Sequence, residues 1–318
     1  MLALALLLAA IPLPDLGTAK YLDQFEGGLY ENGSNVMPAD HRAAELRHIA
    51  AVVPLDRNGD PSAEGKIVLL SIGMSNTTQE FCAAGNPSPC TPWSFAGQAA
   101  ADPAVNHRTL VIINGARGGQ DAGTWDAPTK QNFDLVRDND LAAAGLTEKQ
   151  VQVIWIKQAD AQPRVSLPSP NADAYNLERE IGNIVRAAKT RYPNLQLVFL
   201  SSRVYAGWAS STLNPEPYAY ESGFAVKWLV AAQIEQRRSA RVDPTAGNLD
   251  DANGPWIGWG PYLWDPTWPR SDFESDGTPP PQPAEQKVGR MLLEFFKTQP
   301  WFVSEPPRGR RRAVSSSR

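Results

Sequence analysis

Cysteine and histidine are scarce in this 318-residue chain: there are two cysteines, Cys82 and Cys90, and three histidines, His41, His48 and His107. So few thiolate and imidazole ligands, without zinc-like spacing, argue against a structural metal, and no cofactor is expected. A strong field of one sign is also missing. Thirty Lys and Arg stand against 34 Asp and Glu, for a net charge of −4. That balance excludes a nucleic-acid partner held by its phosphates. Five of the arginines (Arg308, Arg310, Arg311, Arg312 and Arg318) crowd the final stretch, so the rest of the chain is more acidic than the total. Long apolar runs are absent too. The run at residues 1–12 (MLALALLLAAIP) falls short of the roughly 20 residues that a spanning helix needs, and no stable membrane insertion is expected.

The run at residues 1–12 has the apolar character of an export leader but lacks its basic start; a buried first strand or helix is the other reading. The expected division is a leader over 1–18, a lead-in over 19–64 with one helix near 39–52, a main domain over 65–305 and a disordered basic tail over 306–318. A secreted or periplasmic location follows. In that setting Cys82 and Cys90, with Gly85, Asn86, Pro87 and Pro89 between them, are expected to close a turn-rich loop as a disulfide.

What the chain does have is alternation. Residues 66–72 (KIVLLSI), 109–113 (TLVII), 151–156 (VQVIWI) and 195–200 (LQLVFL) are continuous apolar runs. Such runs suit strands covered on both faces of a parallel sheet. A fifth strand is expected within 255–263. Between the runs lie helical stripes: Leu177, Ile181, Ile184, Val185 and Ala188 in one, residues 222–239 in a second, and Val288, Met291, Leu292, Phe295 and Phe296 in a C-terminal third. The pattern predicts an α/β fold, a three-layer α/β/α sandwich around a parallel sheet of about five strands. Ligands of such sheets bind at the carboxyl ends of the strands, so the residues after each strand are the place to look for chemistry.

After the first run come Gly73-Met74-Ser75-Asn76. A serine on a tight turn above a sheet has the exposure and small neighbours of a nucleophile; the plainer reading is a helix cap. After the second run, Gly118-Gly119 lets the backbone approach a ligand and offers a free N–H, or is simply a glycine turn. After the third, Lys157 and Gln158 offer a charge and a side-chain donor, or belong to a solvated loop. After the fourth, Arg203 and Tyr205 lie on the same rim and suit sugar binding.

Taken in order, Ser75 after strand one, Asn114 to Gly119 after strand two, a polar loop after strand three and Asp276-Gly277-Thr278 before the last helix resemble the blocks of the SGNH/GDSL hydrolase family. The segment Trp155-Ile-Lys-Gln-Ala-Asp160 is closest in flavour to the carbohydrate O-acetylesterases. The resemblance spans residues 65–298 and rests on the order of short blocks. It implies Ser75 as nucleophile and Asp276 as the residue that orients a catalytic histidine. It implies an oxyanion hole from the Ser75 and Gly119 amides and a third-block side chain; that position falls on Gln158 or Ala159 depending on the alignment, and Gln158 is the one with a donor. Asn76, Lys157, Arg203 and Tyr205, beside these blocks, are the expected substrate contacts.

One departure matters. The family ends its last block in Asp-x-x-His, and this chain has Pro279 where the histidine belongs. A serine hydroxyl without a nearby imidazole is a poor nucleophile at neutral pH. The expectation is a secreted ester-hydrolase scaffold facing an acylated carbohydrate or other small ester, with impaired catalysis. The alternative is a catalytically silent ligand-binding relative. His107 precedes strand two, at the wrong end of the sheet. His41 and His48 sit on the lead-in helix. Asp160, Glu221, Asp272 and Asp276 are the candidates for a weaker base.

Overall fold

The structure, a computed structural model, describes residues 11–83, 89–278 and 282–304. Among the described residues, seven strands and eight α-helices carry the fold. A short helix α1 (Leu13–Leu16) leads to a small antiparallel hairpin, β1 (Lys20–Tyr21) and β2 (Phe25–Glu26), then to α2 (Ala39–Ala51). The five remaining strands are β3 (Ile67–Gly73), β4 (Leu110–Asn114), β5 (Val151–Lys157), β6 (Leu197–Leu200) and β7 (Trp256–Trp259). The helices α3 (Ser75–Phe81), α4 (Phe95–Ala101), α5 (Gln131–Leu135), α6 (Asp173–Arg191), α7 (Tyr218–Ser239) and α8 (Gln282–Phe296) are interleaved with them.

The five strands form one sheet in the order β4-β3-β5-β6-β7, and every pair is parallel. Alternate residues along each strand feed opposite cores, as the two-residue period of a strand requires. Val68, Leu70, Ile72, Ile154, Val198 and Ile257 face one layer, built on α6 and α7. Leu69, Val153, Trp155, Phe199 and Trp256 face the other, built on α2, α3, α4 and α8. Both faces are therefore apolar, which is why the strands read as unbroken hydrophobic runs. This is the three-layer α/β/α sandwich that the sequence predicts.

The amino-terminal segment belongs to this body. Leu13 is fully buried, its N–H donates to the Tyr262 hydroxyl at 3.1 Å, and Tyr21 packs on Tyr220 and Phe224. A division at residue 18 thus cuts through a packed unit. The hairpin is too short to show as a strand pattern in the sequence. Cys82 and Cys90 are joined as a disulfide. The basic tail, most of the leader run and Pro279 lie outside the described residues. Among the described residues no helix is long and apolar enough to cross a membrane.

Candidate active site

The chain order of the sheet reverses at β3: β4 is laid on one side of it and β5 on the other. Such a switch point opens a crevice at the carboxyl ends of the two inner strands. Ser75 stands there. β3 ends at Gly73, where a Cβ would collide with Thr77 Oγ1 and the Lys157 carbonyl. The Thr77 hydroxyl donates to that same carbonyl at 2.8 Å, which ties α3 to the end of β5. Met74 occupies the cap position and Ser75 the first helical one, so Ser75 is not the helix cap. Its side chain is exposed, and its hydroxyl has no partner among the described residues.

The loop after β4 is drawn over this turn by buried hydrogen bonds. Ser71 Oγ donates to Asn114 Oδ1 at 2.6 Å and accepts from the Gly115 and Ala116 amides at 3.2 and 3.4 Å. The Arg117 amide donates to the Gly73 carbonyl at 3.0 Å. A Cβ built on Gly118 would then lie 3.8 Å from the Ser75 Cβ. Gly119 has a φ of +73°, a conformation that other residues rarely adopt. Among the described residues the amides of Ser75, Gly118 and Gly119 donate to no acceptor. Free amides beside an exposed hydroxyl have the composition of an oxyanion hole.

A cavity of about 210 Å³ lies in front of them, lined by Ser75, Asn76, Gly119, Asp160, Arg203 and Thr278 among others. Four of the expected site residues, Ser75, Asn76, Gly119 and Arg203, therefore meet in one place. Thr278 brings the last block to the same rim. Asp276 itself does not line the cavity. Its exposed carboxylate accepts from the Thr278 amide at 2.9 Å and hydroxyl at 2.6 Å, and these bonds hold its pKa below the usual carboxylate range. Its loop is docked on the segment after β6: the Asp276 carbonyl accepts from the Ser210 amide and hydroxyl at 2.8 and 2.9 Å. Gly277, at φ +75°, has no room for a side chain against the Trp208 carbonyl.

Three expected contacts fall elsewhere. Lys157 is fully buried, and its ammonium pairs with both carboxylate oxygens of Glu80 from α3. A lysine ending an apolar strand needs such a partner, so Lys157 serves the core and does not reach a ligand. Burial lowers its pKa to about 8 and raises that of Glu80, each partly offset by the other's charge. Gln158 is buried as well. Its Nε2 donates to the Gln120 carbonyl at 3.4 Å, and it does not line the cavity. Tyr205 is half-buried, edge-on to Trp208 and Trp264 at 6.1 and 5.5 Å.

No histidine lines the cavity. His41 is buried under α2, stacked on Trp256 at 4.9 Å with Nε2 2.9 Å from the Ile257 carbonyl. His48 hydrogen bonds Gln196 ahead of β6, and His107 lies before β4. Of the candidate weaker bases, Asp160 lines the cavity. Glu221 instead accepts from the Leu167 amide at 3.1 Å and from the Tyr21 hydroxyl at 3.3 Å. Sequence reasoning missed Asp121, Ser211 and Asn214, which also line the cavity. They lie on loops whose path no periodicity reveals. Glu80 was missed too, and the signal for it was the lysine at the end of strand β5.

Fold and site together define a doubly wound α/β sandwich with a serine-bearing cavity at its switch point. No protein-family model matches the chain, and no curated protein matches it significantly. Solved structures similar to it include a putative GDSL-like lipase from Parabacteroides merdae, at 13% identity over 73% of this chain and 96% of that one, with a TM-score of 0.40. A protein from Arabidopsis thaliana is similar at 9% identity, covering 73% and 98%, with a TM-score of 0.43. A family two carbohydrate esterase from Cellvibrio japonicus is similar at 12% identity, covering 76% and 64%, with a TM-score of 0.40.

Proposed function

We propose that the protein is an ester hydrolase scaffold acting through Ser75 on O-acyl groups of a carbohydrate or another small ester, with a slow chemical step. The observation that carries this reading is the exposed, unpartnered Ser75 hydroxyl beside three free amides in a cavity at the sheet's switch point. Attack by Ser75 Oγ on the ester carbonyl forms a tetrahedral oxyanion. The Ser75 and Gly119 amides are the donors for it; its collapse breaks the bond to the alcohol, which leaves with the serine's proton, and water then releases the acid from the acyl-serine and restores the hydroxyl. The Asp160 carboxylate is a weak base in the same cavity. Without an imidazole, the residual rate rests mainly on the amides and on binding. The disulfide supports an extracytoplasmic location. A cleaved leader compatible with the fold ends ahead of Leu13, because Leu13 is part of the core.

The absence of any histidine from the cavity lining favours the second reading, a silent binding relative. Turnover of 4-nitrophenyl acetate by purified protein separates the two. Slow turnover that disappears in Ser75→Ala supports the hydrolase. Turnover that persists in Ser75→Ala, or none at all, removes it. A large gain in Pro279→His identifies the missing base as the rate limit.

A further inference from the structure

A second cavity, of about 490 Å³, is lined by residues of β2, α6, α7 and the turn after α7, and shares no lining residue with the Ser75 cavity. Part of its wall is aromatic. Tyr175 and Trp228 stack at 4.8 Å, and Phe25 tilts against Trp228 at 5.9 Å. The rest is acidic, with Glu178, Glu235 and Asp243.

Glu178 is the telling group. It is only 4% exposed, yet its carboxyl makes no hydrogen bond or ion pair among the described residues. Its oxygens are not among the sealed unpartnered atoms, so they keep a small accessible surface, and the cavity is where the residue meets open space. Buried carboxyls are ordinarily paired, so one left open on a cavity wall points to a ligand. Burial, then Asp243, lifts its pKa to about 8, and no cation acts against them.

The charges around it supply no partner. Arg241, on the rim, is exposed and forms no ion pair among the described residues. Glu31, also on the rim, is held by Arg238 at 3.0 Å. Lys227 of α7 donates to the Glu26 and Gly27 carbonyls, Arg186 of α6 donates to the Ala246 carbonyl, and neither lines the cavity. Asp243 Oδ1 accepts from the Thr245 and Ala246 amides at 2.7 and 3.1 Å, while Glu235 has no ion pair among the described residues. Setting Glu31 aside with its arginine, three carboxyl groups share the cavity with one guanidinium. They are spread around the wall: among the described residues no three acids or imidazoles are grouped so as to hold a metal ion. Spaced acids beside aromatic rings suit a larger cation with a carbon frame.

We propose that this cavity binds an organic ammonium ion, its charge against the Glu178 carboxylate and its carbon frame on Phe25, Tyr175 and Trp228. The inference does not depend on the hydrolase reading. A cation beside Glu178 favours the ionised carboxylate, so below about pH 8 binding must expel a proton, and affinity rises with pH through that range.

The test titrates the full chain with 2-phenylethylammonium and with 2-phenylethanol, a neutral ligand of similar shape, by calorimetry. We expect the ammonium ion to bind at least about tenfold more tightly near pH 8, as a charged hydrogen bond implies. The preference is expected to grow from about pH 6 to about pH 8.5, a range in which an alkylammonium stays charged. In Glu178→Gln the ammonium affinity falls toward that of the alcohol and its rise with pH disappears. Nα-acetyl-lysine methylamide, titrated beside them, distinguishes the sources: tighter binding than 2-phenylethylammonium assigns the cation to a lysine side chain of another protein, weaker binding to a free amine, and either upholds the site. Equal affinities for the ammonium ion and the alcohol in the wild-type protein overturn the proposal, as does no binding of the ammonium ion at millimolar concentration, and neither result needs a variant to fold. A preference that survives undiminished in Glu178→Gln overturns it too.

Discussion

Lys157 at the end of β5 and Glu80 on α3 form an ion pair with no solvent exposure on either side chain, on the helix that opens with Ser75. The pair fixes that helix to the sheet from below, while the Thr77 hydroxyl fixes it from the strand end.

Removing one partner strands the other. Lys157→Met leaves a buried carboxyl and is expected to cost about 3–5 kcal/mol in urea unfolding at pH 7. Burial already raises the Glu80 pKa, so the penalty shrinks in acid, where the stranded group is protonated. The double variant Lys157→Met/Glu80→Leu is expected to recover most of the loss, since a packed apolar pair can replace a buried ion pair.

Gly277 is the hinge of the last block. Its positive φ and its contact with the Trp208 carbonyl exclude any side chain. Gly277→Ala is expected to lift the Asp276 loop off Ser210, with a loss of about 1–3 kcal/mol. Limited proteolysis should then cleave near residues 270–278 faster than in the wild-type protein.

His41 sets an acid limit on stability. Burial lowers its pKa to about 4 from an ordinary 6.5, so it is neutral in the fold. Its Nδ1 is buried without a partner, leaving a second ring proton nothing to bond. Below pH 6.5 the unfolded chain binds the proton first, so this residue lowers stability as pH falls from 6.5 toward 4, by roughly 3 kcal/mol in all. His41→Gln is expected to remove that dependence, read as the difference from wild type in chemical unfolding across the window.

Glu178 acts with the opposite sign. Burial, then the nearby Asp243, raises its pKa to about 8 from 4.5, so the folded protein holds a proton that the unfolded chain releases. Stability falls as pH rises from 4.5 through 8. Glu178→Gln is expected to raise the Tm at pH 9, by about 2–4 °C for each kcal/mol recovered, and to leave it unchanged near pH 4.

The sheet was legible because its strands are covered on both sides, so four apolar runs mark four strands to within about two residues at each end, and the fifth strand falls within the expected 255–263. The helices followed from stripes such as Leu177 to Ala188. The hairpin at residues 20–26 was not legible, because two-residue strands carry no period. At the site, strand ends located Ser75, Gly119 and Arg203, because the carboxyl edge of a parallel sheet is where loops converge. Lys157 was misplaced for a reason the register makes plain: it is still paired in the sheet, opposite Gly73. Asn214 and Ser211 reach the cavity through a loop held by tertiary contacts alone, such as Asn214 Nδ2 donating to the Asp160 carbonyl at 3.2 Å.

The layer containing Phe81, Phe95, Trp155 and Phe199 is closed by α8, near the end of the chain. During synthesis these aromatics therefore lack the α8 part of their cover until residues 282–296 leave the ribosome. A chain that stops before them carries an open greasy face, the kind of surface that draws partly made proteins into aggregates.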